Sequence, residues 1–94
     1  MAVDVETRRP QLARVFGGLS GPAIRPIALY MVYKTAQVIQ IPIIAMGGIM
    51  TADDALQFII AGATMVCVGT ASFVDPQAGC KILDGIQQYM KKGT

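Results

Sequence analysis

Two short apolar runs, each closed by a glycine turn, constrain the fold of this chain more than any other feature. The first run covers residues 41–49 and the second covers residues 64–71. Runs of mostly β-branched residues bounded by glycine predict parallel strands that are covered on both faces. Residues 51–61 between them have helical spacing. The sequence therefore predicts a strand, a helix and a second parallel strand in succession.

Three glycine turns are predicted to meet, because parallel strands of a βα fold end at the same sheet edge. The residues at these turns are Ser20, Gly21, Gly47, Gly48, Gly69 and Thr70. Backbone N–H groups at such turns bind anions without a charged side chain, and only glycine lets the backbone approach closely. Residues 70–75 leave room for the short extra helix that completes phosphate sites in barrels. We predict a phosphate cradle; the alternative is that these glycines only form turns.

The segments before the first strand are predicted from local signals. Residues 2–16 alternate loosely between apolar and polar positions, which indicates a hairpin-like excursion. Pro22 suits the first position of a helix whose apolar residues repeat at intervals of three and four. The predicted buried face of this helix comprises Ile24, Ile27, Ala28, Met31, Thr35 and Val38.

The helix between the two strands has signals at both ends. Thr51 and Asp54 have the spacing of a capping box, in which each residue satisfies a backbone N–H group of the other. Gly62 follows the last periodic residue, as a C-cap does. These signals predict a helix over residues 52–61.

The last helix is predicted to begin at Asp75 and Pro76, an N-cap followed by a proline in the first turn. Residues 91–93 combine two lysines with a glycine and predict its end. Its apolar face comprises Ile82, Leu83, Ile86, Tyr89 and Met90. The alternation of strands and helices along the chain predicts an α/β fold with a parallel sheet.

The composition indicates that this chain does not form a self-sufficient domain. Hydrophobic residues make up 53% and charged residues 15% of the sequence, whereas globular domains have about 25% charged residues. A closed (β/α)8 barrel needs roughly 250 residues. The 94 residues hold about three strand and helix units. We therefore expect residues 1–94 to be an incomplete domain, equivalent to about a third of a barrel.

Charge and residue types exclude several classes of function. The net charge of +2 is not gathered into a basic stripe, so nucleic acid is not an expected partner. No apolar run reaches the length of a membrane span and no signal peptide is evident, so we expect a cytoplasmic protein without membrane contact. Cys67 and Cys80 lack Cys-x-x-Cys spacing, and the chain has no histidine. We expect two reduced, packed thiols and no metal site.

Several segments resemble the C-terminal third of bacterial dihydroorotate dehydrogenases, and in particular the class 1B form. They are GGLSGPAIRPIAL at residues 17–29, IPIIAMGGI at 41–49 and VGTA at 68–71. Residues 1–10 resemble the excursion after the sixth barrel strand of that family. The resemblance runs nearly from end to end. Family members more often have glycine at the position of Ala45, a change beneath the cradle that is expected to matter little.

The resemblance implies the C-terminal segment of an FMN-dependent (β/α)8 TIM barrel that oxidises dihydroorotate to orotate in pyrimidine synthesis. It places Gly21, Gly47, Gly48, Gly69 and Thr70 around FMN, chiefly at its phosphate and ribityl end. A branched side chain at Gly48 is expected to enter the phosphate space.

The same resemblance places the catalytic cysteine, a flavin-contacting lysine and the substrate-binding asparagines upstream of Met1. It therefore implies no catalytic residue in this chain, and Cys67 and Cys80 do not replace the missing base. The 94 residues alone are expected to be inactive. The resemblance also implies a homodimer and a partner subunit that carries FAD and an iron–sulfur cluster.

Two other interpretations remain open at this point. The chain can belong to another phosphate-binding barrel, such as a different flavin oxidoreductase or a phosphosugar isomerase, although residues 17–26 have no reason to recur there. It can also be a truncated, inactive module that only associates, since apolar surface and open strand edges favour association. Arg8 and Arg9 are expected to lie in a solvated loop, and Tyr30 and Tyr33 to serve packing or an interface.

Overall fold

The computed structural model describes residues 1–92 of the chain. Its elements are β1 (Val3–Asp4), β2 (Arg9–Pro10), a 3₁₀ turn (Pro22–Ile24), α1 (Arg25–Ala36), β3 (Ile44–Met46), α2 (Ala52–Ala61), β4 (Met65–Cys67), α3 (Thr70–Val74) and α4 (Ala78–Lys92). The strands form two separate two-stranded sheets. This order confirms the predicted α/β class.

The opening segment is the predicted hairpin. β1 and β2 pair antiparallel, with Val3 opposite Pro10. Arg8 and Arg9 are exposed, as expected, but Arg9 lies in β2 and not in a loop. None of these residues belongs to the buried core of the described chain.

β3 and β4 form the predicted parallel pair. Ile44 lies opposite Met65, and Met46 lies opposite Cys67. The expectation that these strands are covered on both faces is wrong for this chain. Ala45 is buried, but its strand neighbours Ile44 and Met46 are exposed, because the helices cover only one face of the sheet. The opposite face of the sheet consists of apolar side chains that no other described element buries.

The core lies where α2 packs on the sheet, with α1 and α4 on either side of it. α2 has its main helix contacts with α1 and α4. The buried core residues are Ala45, Ile49, Ala55, Phe58, Ala63 and Ile82. Phe58 is the largest side chain with no exposed surface. Three of these six residues are alanines, whose small side chains let the helices lie close to the sheet and to each other.

The buried face of α1 differs from the predicted one. Ala28, Leu29 and Val32 pack against the core, whereas Ile27 and Met31 are more than half exposed. The difference arises because α1 approaches α2 through small residues. A Cβ atom on Gly62, which has φ +131°, would lie 2.5 Å from the Cβ atom of Ala36. Thr35 and Val38 were also predicted to lie on the buried face of this helix, and both are exposed.

The described chain is thin and open. Its principal extents are 58 × 34 × 16 Å and its radius of gyration is 16.5 Å, against about 12 Å for a compact domain of this length. A thickness of 16 Å corresponds to one sheet layer with one helix layer, given a spacing of about 10 Å between layers. The shape accounts for the exposed sheet face. That residues 1–94 form an incomplete domain stays a prediction.

The capping box at the start of α2 is present. The Thr51 Oγ1 atom accepts a hydrogen bond from the Asp54 N–H at 3.3 Å, and the Asp54 Oδ2 atom accepts one from the Thr51 N–H at 3.2 Å. Gly62 ends the helix, with its N–H donating to the Ile59 and Phe58 carbonyls. The structure confirms the predicted bounds of this helix.

Replacing Thr51 with alanine removes the side-chain acceptor at the start of α2. We expect a loss of about 0.5–2 kcal/mol in the free energy of unfolding, which is the usual range for N-caps. Thr64→Ala is the matched control, because Thr64 is exposed, its backbone N–H donates to the Ile43 carbonyl oxygen, and its side chain forms no hydrogen bond within the described part of the chain. Thermal unfolding of both variants measures the difference. Equal melting temperatures for the two variants would reject the cap assignment.

Asp75 organises the connection between α3 and α4. Its Oδ1 atom accepts from the Gln77 N–H at 3.0 Å, and its Oδ2 atom pairs with Lys81 Nζ at 2.7 Å. These contacts confirm the predicted cap, although α4 itself begins at Ala78. The hydrogen bond from Lys81, followed by that from the Gln77 N–H, lowers the pKa of Asp75 below its ordinary value of 3.8.

The apolar face of α4 is only partly used. Ile82 is buried and Ile86 packs against the core, whereas Leu83, Tyr89 and Met90 are exposed. The predicted stop at Gly93 lies outside the described residues.

The pKa of Asp75 predicts a dependence on pH. A lowered folded-state pKa stabilises the fold above the unfolded value, and this contribution disappears as the pH falls through the folded value. We expect an NMR titration of the Asp75 carboxyl group to give a midpoint below 3.8. Lys81→Met removes the main cause and should move the midpoint upward. A midpoint that Lys81→Met leaves in place would contradict the assignment.

Candidate functional site

The three predicted glycine turns meet at one cavity. Its volume is about 270 Å³. Its lining includes both residues of every turn, namely Ser20, Gly21, Gly47, Gly48, Gly69 and Thr70. All five residues predicted to bind the cofactor therefore lie around the same space. The parallel pairing of β3 with β4 brings two of the turns together, since it places both strand ends at one edge.

The turn before α1 reaches the cavity through Gly21. This residue is buried and has φ +88° and ψ −167°, a conformation that residues with a side chain rarely adopt. A Cβ atom on Gly21 would lie 3.7 Å from the Cγ2 atom of Thr70. The first and third turns are thus direct neighbours across the cavity.

Gly47 and Gly48 follow β3 with φ values of +132° and +71°. A Cβ atom on Gly48 would lie 2.5 Å from the Gly21 carbonyl oxygen and 2.9 Å from the Arg25 Cβ atom. A Cβ atom on Gly47 would lie 2.8 Å from that of Ala28. A side chain at Gly48 would therefore first meet Gly21 and the start of α1, and its entry into the phosphate space stays a prediction. These glycines let the strand end pack on α1 while their backbone lines the cavity.

The third turn differs from the other two. A Cβ atom on Gly69 would have no neighbour within 4 Å, and Gly69 has φ −111°. Thr70 begins α3, which is the short extra helix that the sequence predicted. The first N–H groups of a helix have no acceptor within the helix. The opening of α3 therefore offers backbone donors beside the cavity.

Among residues 1–92, no charged side chain lines this cavity. Besides the turns, its wall consists of Ile24, Met46, Ile49, Cys67 and Val68. An anion here would be bound by backbone N–H groups and the Thr70 hydroxyl, as the sequence indicated. Ala45 is buried next to this site in the core.

The expectation of two packed thiols is wrong. Cys67 and Cys80 are both exposed, and neither forms a disulfide within the described residues. Cys67 lies on the uncovered face of β4, where this chain provides no second layer, and Cys80 lies on the outer part of α4. Cys67 lines the cavity.

A buried carboxylate ties two of the turns together beneath the cavity. The Asp54 Oδ1 atom pairs with Arg25 Nη1 at 3.0 Å, and its Oδ2 atom accepts from the N–H groups of Met50 and Thr51. Sequence reasoning found the Asp54 cap but missed Arg25. A signal was present, because a cation in the first turn of a helix opposes the helix dipole and needs a specific partner.

Other features of the described residues stand apart from this site. No group of three His, Cys, Asp or Glu residues is placed to hold a metal ion in this part of the chain. No helix within residues 1–92 has the length and hydrophobicity needed to cross a membrane. Tyr30 and Tyr33 line an open groove between α1 and α2, away from the cavity. Their use in packing or an interface stays a prediction.

The fold and the cavity define a class: α/β proteins in which glycine turns surround a cavity at the carboxyl edge of parallel strands. A family model described as "Dihydroorotate dehydrogenase" matches residues 1–90. The chain belongs to the dihydroorotate dehydrogenase family, as the sequence motifs indicated.

Curated relatives carry the name dihydroorotate dehydrogenase B (NAD(+)), catalytic subunit. The chain is 59% identical over 90 residues to that of Trichlorobacter lovleyi and 58% identical over 92 residues to that of Porphyromonas gingivalis. It covers 96% and 98% of its own length in these comparisons, and it spans 30% of the length of each relative.

A solved structure shows the same fold. The crystal structure of the dihydroorotate dehydrogenase of Eimeria tenella, in complex with ferulenol, superimposes with a TM-score of 0.79 at 29% sequence identity. The match covers 96% of this chain and 25% of that protein.

The different surroundings of Gly48 and Gly69 predict different tolerance to a side chain. Gly48→Ala combines a positive φ with a clash against backbone, so we expect a loss of about 2–4 kcal/mol in the free energy of unfolding. The new Cβ atom in Gly69→Ala meets open space, so the free energy of unfolding should change by less than about 0.5 kcal/mol. Denaturant unfolding of both variants checks this. Similar losses at the two positions would contradict the described packing.

Proposed function

We propose that residues 1–94 hold the phosphate end of FMN in a dihydroorotate dehydrogenase, which oxidises dihydroorotate to orotate in pyrimidine synthesis. The convergence of three glycine turns on one cavity carries this proposal. Membership of the dihydroorotate dehydrogenase family supports the reaction. The cavity supports the role of this particular segment.

The proposed architecture is the C-terminal segment of a (β/α)8 TIM barrel. Two neighbouring parallel strands, each followed by a glycine turn, and the short helix α3 after the second turn are the parts of a barrel phosphate site. In a barrel the uncovered sheet face would turn inward. The exposed side chains of Met46 and Cys67 would then contact strands that lie outside this chain.

The cavity fits one end of FMN. Pockets that enclose a whole drug-sized ligand measure roughly 300–1,000 Å³, and this cavity is smaller, at about 270 Å³. A phosphate group presents only acceptors, and this wall offers backbone N–H donors with no carboxylate to repel it. The flavin ring would then lie beyond the cavity, against parts of the barrel that this chain does not supply.

The residues of the cavity would bind and orient the phosphate. Gly47 and Gly48 present their backbone on one side, and Gly69 and Thr70 do so on the other, while Gly21 closes the gap between them. The hydroxyl of Thr70 adds a donor at the start of α3. Apolar neighbours such as Ile49 reduce the access of water, which strengthens each hydrogen bond to an anion.

FMN bound here would accept a hydride from dihydroorotate, and this chain would hold the cofactor in place for that step. We propose that the catalytic cysteine, the lysine and the substrate-binding asparagines lie outside residues 1–94. The 94 residues alone would then be inactive. We also propose a cytoplasmic homodimer that passes electrons to a subunit carrying FAD and an iron–sulfur cluster, in line with the NAD(+)-type names of the relatives.

A comparison of FMN with riboflavin tests the phosphate site, because only FMN carries the phosphate. The test uses a full-length chimera in which residues 1–90 replace the matching segment of the Trichlorobacter lovleyi subunit. We expect FMN to bind at least roughly tenfold more tightly than riboflavin, which corresponds to one or two hydrogen bonds to a charged group. Titration of each flavin, followed by fluorescence, measures both dissociation constants.

Gly69→Val is the informative variant in this chimera. It adds bulk to the cavity wall where the structure leaves open space, so the preference for FMN should fall while riboflavin still binds. Gly79→Val is the matched control, because a Cβ atom on Gly79 also meets open space but lies on α4 away from the cavity. An unchanged preference in Gly69→Val would show that the phosphate is held elsewhere.

A further inference from the structure

We infer that the ion pair between Arg25 and Asp54 positions the phosphate cradle, by holding the turn before α1 against the turn after β3. This inference rests on the function proposed above and assigns a role to two residues that do not line the cavity. Both would act through the glycine turns, as positioning residues.

The carboxylate of Asp54 joins two elements with its two oxygen atoms. Oδ1 lies 3.0 Å from Nη1 of Arg25, in the first turn of α1. Oδ2 accepts hydrogen bonds from the N–H groups of Met50 at 3.0 Å and Thr51 at 3.2 Å, in the segment that follows Gly48. One side chain therefore connects the start of α1 to the chain that leaves the glycine pair.

Arg25 lies directly against the glycine pair. Its backbone nitrogen and its Cβ atom are 3.0 Å and 2.9 Å from the position that a Cβ atom on Gly48 would occupy. Its N–H donates to the carbonyl oxygen of Pro22, which is the first residue of the 3₁₀ turn that follows Gly21. Movement of Arg25 would thus displace Gly21 and Gly48 relative to each other, and both line the cavity.

The pair between Arg25 and Asp54 is shielded from water more than the ion pair that Lys81 forms. The Arg25 and Asp54 side chains are 31% and 10% exposed, whereas those of Lys81 and Asp75 are 68% and 40% exposed. Attraction between opposite charges grows as water is excluded, and exposed pairs contribute little. The Lys81 pair is therefore a natural control, since it joins α4 to the connection that precedes it and touches none of the three turns.

A positioning role differs from a general contribution to stability in its effect on ligands. Riboflavin and FMN share the flavin ring and the ribityl chain, so general loosening of the fold weakens the binding of both. Displacement of the turns removes hydrogen bonds that only the phosphate accepts. The ratio of the two dissociation constants therefore isolates the positioning role.

The experiment measures this ratio in the full-length chimera and its variants. Arg25→Met removes the charge and keeps the apolar stem, and we expect it to lower the preference for FMN over riboflavin roughly tenfold, as loss of an outer-shell partner does for bound metals. Arg25→Lys keeps the charge and should retain most of the preference. Lys81→Met should leave the ratio unchanged.

The outcomes distinguish failure of the proposed phosphate site from failure of the inference about the ion pair. If the parent chimera shows no preference for FMN, the proposed phosphate site is wrong and this inference is wrong with it. If the parent prefers FMN and Arg25→Met keeps the same ratio, only the inference is overturned. Equal loss of preference in Arg25→Met and Arg25→Lys would also overturn it, because the charge would then not matter.

Asp54→Asn is a second test of the ion pair, which is needed if Arg25→Met does not fold. Asparagine keeps an oxygen that accepts from the Met50 and Thr51 N–H groups, but it lacks the charge that attracts Arg25. A folded Asp54→Asn protein with a reduced preference for FMN supports the inference, and one with an unchanged preference overturns it. If both Arg25→Met and Asp54→Asn lose both flavins together, the pair serves the whole fold and the inference is wrong.

Discussion

The carboxylate of Asp54 is the contact on which the arrangement of the glycine turns depends. It is buried, and each of its oxygen atoms has a partner: the Met50 and Thr51 N–H groups on one side and Arg25 on the other. A buried charge is tolerated only when it is paired and hydrogen bonded, so the Asp54 carboxylate can be buried only because it has these partners. The start of α2 and the start of α1 are therefore held together beneath Gly48.

Close backbone approach is the second condition of the site. Gly47 and Gly48 lie against α1 at distances that leave no room for a Cβ atom, and Gly62 lies equally close to Ala36. The same missing side chains that permit this packing leave bare backbone on the cavity side. The packing contacts and the cavity thus lie on opposite sides of one glycine turn, and in the proposed site this bare backbone would bind the phosphate without a charged residue.

The uncovered sheet face links the architecture to the proposed function. Met46 and Cys67 are exposed on this face and also line the cavity. A second layer of strands over β3 and β4 would bury both residues and close the cavity in the same step. The chain spans 30% of the length of its curated relatives, and in the proposed barrel the remaining strands would supply that layer. Completion of the barrel and completion of the cofactor site are then the same event.

The sequence by itself determined the features that depend on local signals. The bounds of α2 followed from Thr51, Asp54 and Gly62, and the meeting of the turns followed from parallel strands that end at one edge. Only the tertiary structure decided which way the missing Cβ atom of Gly48 points, which face of α1 is buried, and that Asp54 pairs with Arg25. The physical reason is that these features depend on contacts between elements distant in sequence, and hydrophobic periodicity or capping signals describe only the neighbours of a residue along the chain.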